Sequence, residues 1–260
     1  MVLIAITVHE RAELVRHCFA TAAELILPEG SEIVVYDDAS PTLDTARLIS
    51  EAGLWARLER TPVRQGASGM ITEVWRSFLA SRHEYLLFLD SDMIINRDAI
   101  GAGLEQLAGF DGLLTLYNSI LHAGDAAGAD LVRKARIGNA GTLWRRSLAS
   151  LALEGVGGQP HIDDRYCEHF NGLKVPLAAM RRSRVQHLGI HGENYHPYGG
   201  LDHGSGFVPD SPAQSAALVF AHDHLLTCQQ AFLPTAYWLR ERREKSLLRR
   251  LTNRLRPRAR

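Results

Sequence analysis

The sequence has no run of the roughly 18 to 20 apolar residues that a membrane-spanning helix needs. Its most apolar stretch near the C-terminus, Ala216 to Ala221, is cut by His222-Asp223-His224. The basic segment and small-residue cleavage site of a secretory signal are also missing. The chain instead opens on Val2-Leu-Ile-Ala-Ile-Thr-Val8. These absences set the expectation of a cytoplasmic protein. Cysteine is scarce: Cys18, Cys167 and Cys228 lie far apart and form no CxxC pair. That excludes a zinc knuckle or a thioredoxin-type dithiol and suits a reducing compartment. No internal repeat is present, so a solenoid is excluded. The body also lacks a basic excess. Of 29 Lys/Arg and 29 Asp/Glu, ten basic and two acidic residues fall between Leu239 and Arg260. The remainder holds 19 basic against 27 acidic residues, a poor surface for nucleic acid.

What is present is an ordinary globular composition, 46% hydrophobic and 22% charged over 260 residues. Short apolar runs alternate with helical patterns. Val2 to Val8, Glu32-Ile-Val-Val-Tyr36 and Tyr85-Leu-Leu-Phe-Leu89 read as buried strands, with a weaker one at Ala56 to Arg60. Helices are expected over Arg11–Leu25, Thr42–Ala52 and Ala67–Ser81 from apolar residues at helical spacing. This alternation implies right-handed crossovers and a mainly parallel α/β sheet covered on both faces. Polar clusters follow the strands at Thr7–Arg11, Asp37–Ser40 and Asp90–Asp92, and the carboxyl ends of such sheets are where ligands bind. The second half is less regular. A strand region is expected over Lys134–Arg145, a strand at Leu113–Leu116, a helix over Asp163–Phe170 and a strand over Arg184–Leu188. Gly189 to Gly206, with six glycines, reads as a long loop, and the pattern from Ser211 on is helical.

The clearest chemical signal is Leu86-Leu-Phe-Leu-Asp90-Ser-Asp92. A buried strand delivers two carboxylates, one residue apart, to its end. Mg²⁺ and Mn²⁺ favour such oxygen ligands and bridge them to substrate phosphates. The alternative is that Asp92 caps a helix starting near Ile94.

The surrounding motifs resemble the GT-A glycosyltransferases, family 2 above all. Thr7-Val-His-Glu-Arg11 stands where that family has a Thr-x-Asn-Arg-like turn, with Glu10 in place of Asn. Val35-Tyr-Asp37-Asp38-Ala-Ser40 resembles its Val-Asp-Asp-Gly-Ser strand end. Arg64-Gln-Gly66-Ala-Ser-Gly69 precedes a helix as expected, and the Asp-x-Asp strand follows. Gly141-Thr-Leu-Trp-Arg145-Arg146 matches a late strand ending on an arginine pair, and Asp163-Asp164 stands where an acidic pair opens the acceptor-side helix. The resemblance covers residues 2 to 192. It implies a GT-A (Rossmann-like) domain over 1–210, split at 116 into nucleotide-binding and acceptor halves, with a helical extension over 211–260.

It also implies roles. Thr7, Glu10, Asp37 and Asp38 would line the nucleobase and ribose pocket, with an Asp accepting from uracil N3–H, and Gly66, Asp90 and Ser91 would complete the donor site. The donor would be a nucleotide-sugar, most simply a UDP-sugar. Asp92 would bind Mg²⁺ or Mn²⁺, with Asp90 on ribose or metal-bound water and His187 or His191 as a further ligand. Asp164 would be the catalytic base of an inverting hexosyl transfer to a glycan, lipid-linked or other hydroxyl acceptor. Simpler readings stand beside these: Asp37 as an Asx turn to Ser40, and Asp163-Asp164 as favourable charges at a helix start. Tyr117, Asn118 and His122 are placed near the donor sugar, and His161 stays unassigned. Trp75 and Phe78 are expected in the core, while Trp144 is open. Leu247, Leu248, Leu251 and Leu255 among arginines form a basic amphipathic tail, either solvated or lying on an anionic inner membrane face. The rival functions are a nucleotidyltransferase and a non-catalytic nucleotide-sugar-binding protein.

Overall fold

A computed structural model of the chain describes residues 1–122, 124–189 and 203–227. The first half runs β1 (Val2–Val8), α1 (Ala12–Ala22), β2 (Glu32–Asp37), α2 (Thr45–Glu51), β3 (Arg57–Arg60), α3 (Gly66–Ala80) and β4 (Tyr85–Asp90). The second continues with β5 (Met93–Ile95), α4 (Ala99–Ala108), β6 (Leu113–Thr115), β7 (Gly124–Ala126), β8 (Leu131–Lys134) and β9 (Thr142–Arg145). It ends on α5 (Arg146–Val156), α6 (Ile162–Gly172), β10 (Leu177–Met180) and β11 (Val185–His187).

Nine strands form one sheet in the order β3-β2-β1-β4-β9-β6-β10-β8-β7. The β3-β2-β1-β4 half is wholly parallel, as the alternating pattern predicts. From β9 onward antiparallel pairs enter, with β9 lying between β4 and β6. Side chains alternate along β1 between two cores. Val2, Ile4, Ile6 and Val8 face a cluster completed by Val15, Phe19, Ile100 and Leu107. Leu3 and Ala5 face the cluster built by α3, α5 and α6. There Trp75, Trp144 and Tyr166 pack edge to face, with centroids 5.0 to 6.2 Å apart. Trp75 and Phe78 are therefore core, as expected, and Trp144 joins them.

The second half departs from expectation in detail. The strand region over Lys134–Arg145 splits into the end of β8 and all of β9, with the Gly138–Gly141 turn between them. Helices α4 and α5 and strand β10 were not anticipated. Asp92 caps nothing: Met93–Ile95 is a strand, and the next helix begins at Ala99. A C-terminal helix over residues 212–227 packs on the domain through Ala217, Ala221 and Leu225 against Leu14, Ile94 and Leu188. Its Gln214 is tied to Asn96 Nδ2 and to the Ile95 carbonyl. None of the described helices is long and apolar enough to cross a membrane. His191, Cys228 and the basic tail from Leu239 lie outside the described residues, as does most of the Gly189–Gly206 stretch.

Candidate active site

Strand register assembles the site. Parallel pairing of β1 with β4 sets Thr7 beside Asp90, and the Thr7 hydroxyl donates to Asp90 Oδ1 at 3.2 Å. Antiparallel pairing of β5 with β11 sets His187 beside Met93. The Leu188 N–H donates to the Asp92 carbonyl at 2.8 Å, and His187 Nε2 lies 3.3 Å from Asp92 Oδ1. From the turn after β1, Arg11 reaches the same carboxylate. Its Nη1 donates to Asp92 Oδ2 at 2.8 Å and its Nη2 to Ser91 Oγ at 3.1 Å. Glu10 and Arg11 both adopt left-handed backbone, with φ of 54° and 61°. Such conformations cost on the order of 1–3 kcal/mol each in non-glycine residues and persist only where the surroundings enforce them. Here Glu10 does so: its N–H donates to Ser40 Oγ at 3.1 Å and its carboxylate accepts from the N–H groups of Thr42 and Leu43.

Two carboxylates this close have different proton affinities. Burial, then the charge of Asp92, pushes Asp90 up to about 6. Burial also raises Asp92, but His187 and then Arg11 more than offset it and hold that carboxyl well below the usual range. Among the described residues no three His, Cys, Asp or Glu side chains are grouped as a ready-made metal site. The donor set nonetheless suits a hard divalent cation. Asp92 Oδ1 is buried and, despite its 3.3 Å approach to His187, receives no well-aligned hydrogen bond. Asp90 beside it carries a charge that burial disfavours.

These groups face a cleft of about 520 Å³ at the carboxyl end of the parallel strands, lined also by Glu10, Asp38, Arg64 and Gly66. A second lobe of about 270 Å³ adjoins it, lined by Tyr117, His122 and Lys134 among others. Asp90, Asn139, Asp163 and His187 line both lobes. Asp163 gets there because α6 starts from a left-handed His161, φ 54°, which turns the chain into the helix just before it.

Asp38 is buried, with Oδ1 accepting from the Gln65 N–H at 2.5 Å and Oδ2 from the Gly66 N–H at 2.8 Å. Oδ1 also faces the Thr61 hydroxyl at 3.3 Å, so the spare acceptor capacity lies mainly on Oδ2. Gly66 has φ +71° with open space where a side chain would be, so the backbone conformation, not crowding, requires glycine there.

Four expected positions are placed elsewhere. Asp164 does not line either lobe; its carboxylate pairs with Arg136 on the open side of α6. Adjacent residues on a helix are about 100° apart, so only one of the acidic pair can face the cleft. Asp37 is absent from the cleft wall and holds the turn, accepting from the Ser40 N–H at 2.8 Å and the Thr45 hydroxyl at 2.7 Å. Ser91 is buried and accepts from Arg11. Asn118 is buried behind the second lobe, its Nδ2 donating to the Arg181 carbonyl. The arginine pair at the β9–α5 junction is also structural, Arg145 donating to the Leu107 and Phe110 carbonyls at the end of α4. Arg146 donates to the carbonyls of Phe78, Leu79, Ser81 and His83, closing the C-terminal end of α3.

Sequence reasoning missed Arg64, Lys134 and Asn139 on the cleft walls. Arg64 alone had a local signal, since it opens the segment Arg64-Gln-Gly66 before α3; Asn139 lies two residues outside the Gly141 motif.

The family model described as Glycosyl transferase family 2 matches residues 3–152. No curated protein matches the chain in sequence. Among solved structures, S. aureus TarS 1-349 is similar at 14% identity with a TM-score of 0.52, over 71% of this chain and 59% of that one. The same protein in complex with UDP-GlcNAc matches at 14% and 0.52, over 71% and 57%. Its complex with UDP matches at 13% and 0.51, over 71% and 59%. The chain thus spans less than two thirds of the TarS chains, and at these identities the likeness is one of fold. The GT-A architecture expected from the motifs is present, and the match over more than half of the sequence settles the kinship: the chain belongs to glycosyl transferase family 2.

Proposed function

We propose that the chain transfers a sugar from a UDP-sugar to an acceptor hydroxyl with inversion, and that Asp163 is the general base. One observation carries the reading: Asp163 shares a cleft with Asp90, Asp92, His187, Asp38 and Arg64 at the carboxyl end of the parallel strands. An inverting displacement needs a carboxylate on the acceptor side. The acceptor oxygen attacks the anomeric carbon and its proton passes to Asp163. The bond from that carbon to the diphosphate breaks, and UDP leaves with the electron pair. Asp163 takes the role expected of Asp164 because it is the member of the pair that lines the cleft.

Asp38, Thr7 and Glu10 would hold the uridine half. A solved complex of TarS with UDP supports a uridine donor. Asp90, Asp92 and His187 would hold Mg²⁺ or Mn²⁺. Such an ion supplies charge neutralisation at the diphosphate leaving group. Arg11, at 2.8 Å from Asp92, keeps that carboxylate ionised and aimed. The smaller lobe, with Tyr117 and His122, would take the hexose. The acceptor, whether glycan, lipid-linked or another hydroxyl compound, would approach from the Asp163 side.

A thermal-shift screen of UDP, GDP and dTDP with and without Mn²⁺ tests the donor. A ligand at a hundred times its Kd stabilises by about 2.7 kcal/mol, or roughly 5–10 °C for a domain of this size. UDP with Mn²⁺ is expected to give that shift. If GDP or dTDP shifts the melt and UDP does not, the uridine assignment fails. Release of pyrophosphate rather than UDP would identify a nucleotidyltransferase.

A further inference from the structure

Asn139 sits in the turn between β8 and β9 and is 3% exposed. The turn is anchored to the strand that carries Asp90, since the Gly141 N–H donates to the Phe88 carbonyl at 2.9 Å. Asn139 lines both lobes of the cleft, together with Asp90, Asp163 and His187. Its Nδ2 is buried and has no hydrogen-bond partner among the described residues.

The other end of the amide is barely engaged. Thr142 Oγ1 lies 3.4 Å from Asn139 Oδ1 but 2.6 Å from the Asn139 backbone carbonyl. A hydroxyl has one proton to give, and the shorter contact takes it. The Trp144 indole N–H then donates to the same Thr142 oxygen at 2.7 Å. The turn is therefore braced by Thr142, Trp144 and main-chain bonds, and the Asn139 side chain is not needed to hold it. Buried polar groups are otherwise almost always paired. An unpaired amide at the junction of two ligand lobes is explained by a partner that arrives with the ligand.

We propose that Asn139 selects the donor sugar, its side-chain amide bonding a hydroxyl or N-acetyl oxygen of the transferred ring where the two lobes meet. This rests on the UDP-sugar reading above. A sugar hydroxyl both donates and accepts, so it satisfies the amide in either orientation. A ring lacking that oxygen leaves the amide buried and unpaired, the arrangement by which polar sites discriminate most strongly.

The test compares wild type, Asn139→Ala and Asn139→Asp by calorimetric titration of UDP, UDP-glucose, UDP-galactose and UDP-N-acetylglucosamine. Kinetics follow with the sugar that the wild type prefers. UDP affinity reports a folded nucleotide lobe in each variant. The expected result is UDP affinity within about twofold of wild type in both, with affinity and kcat/KM for the preferred UDP-sugar lowered about tenfold. The aspartate keeps the acceptor facing Thr142 and removes the donor, so a merely structural role would be restored by Asn139→Asp. Such restoration, equal weakening of UDP and UDP-sugar, or no change in either, overturns the proposal. A wild type that binds no uridine ligand at all sinks the UDP-sugar reading, and this proposal with it.

Discussion

Asp90→Asn should make the protein more stable while removing its activity. Burial and the neighbouring Asp92 raise the Asp90 carboxyl from 3.8 to about 6. At neutral pH the folded chain must therefore ionise a group that resists ionisation. A shift of roughly two units at about 1.36 kcal/mol per unit sets a ceiling near 3 kcal/mol. Asp90 is partly open to solvent, so a gain of about 1–2 kcal/mol is the realistic expectation, worth roughly 3–6 °C in a domain of this size. An asparagine can still accept from the Thr7 hydroxyl. The sign follows from linkage. Between pH 3.8 and about 6 the folded state holds the proton more tightly than the unfolded chain, so wild-type stability from this group falls as pH rises through that window. The advantage of Asp90→Asn is then full above pH 6 and fades toward pH 4. Thermal melts of both proteins at pH 7.5 and pH 4.5, without added metal, read this directly. A lower melting temperature for Asp90→Asn at pH 7.5, or an equal gain at both pH values, would show that the buried Asp90 charge does not destabilise the fold.

Other outcomes follow from the same contacts. Arg146→Met should cost about 2–4 kcal/mol, because four carbonyls at the end of α3 lose a charged donor; denaturant melts check it, and an unchanged midpoint contradicts it. Asp37→Ala should lower stability by about 1–3 kcal/mol through the Ser40 and Thr45 bonds, with UDP affinity unchanged in titrations of the folded fraction. His187→Ala should weaken Mn²⁺-dependent UDP binding about tenfold or more and leave metal-free UDP binding nearly intact; titrations with and without Mn²⁺ separate the two.

Much of this molecule could be read from its residues, and the failures have physical causes. Strands β1, β2 and β4 are nearly continuous apolar runs, and β2 and β4 end on an aspartate, so both their burial and the position of Asp90 were visible. Short strands such as β5, β7 and β10, three or four residues long, carry too little pattern to be read, whereas β11 was expected over Arg184–Leu188 and spans Val185–His187. The doublets were the deeper problem. Asp37-Asp38 and Asp163-Asp164 each place two like side chains in sequence, and only three-dimensional direction distinguishes them. At a strand end successive side chains point to opposite faces, and on a helix they diverge by about 100°. In each pair one faces the cleft and the other braces or decorates the fold. The Arg145-Arg146 pair belonged to a family motif, yet each arginine closes a helix end, Arg145 at the Leu107 and Phe110 carbonyls at the end of α4 and Arg146 at those at the end of α3, roles invisible without knowing where the helices end. Asn139 could not be found at all from its chemistry, because an asparagine in a turn is ordinarily a turn residue.

The proposed mechanism stands or falls on the general-base role of Asp163 rather than its neighbour. It is tested most directly by the rate of UDP release from a UDP-sugar, with acceptor, in Asp163→Asn and Asp164→Asn side by side, each with its UDP affinity measured. Asp163→Asn should lower kcat about 10²–10⁴-fold at unchanged UDP affinity, with Asp164→Asn staying within a few-fold of wild type. A full rate in Asp163→Asn, or the large loss in Asp164→Asn instead, would contradict it.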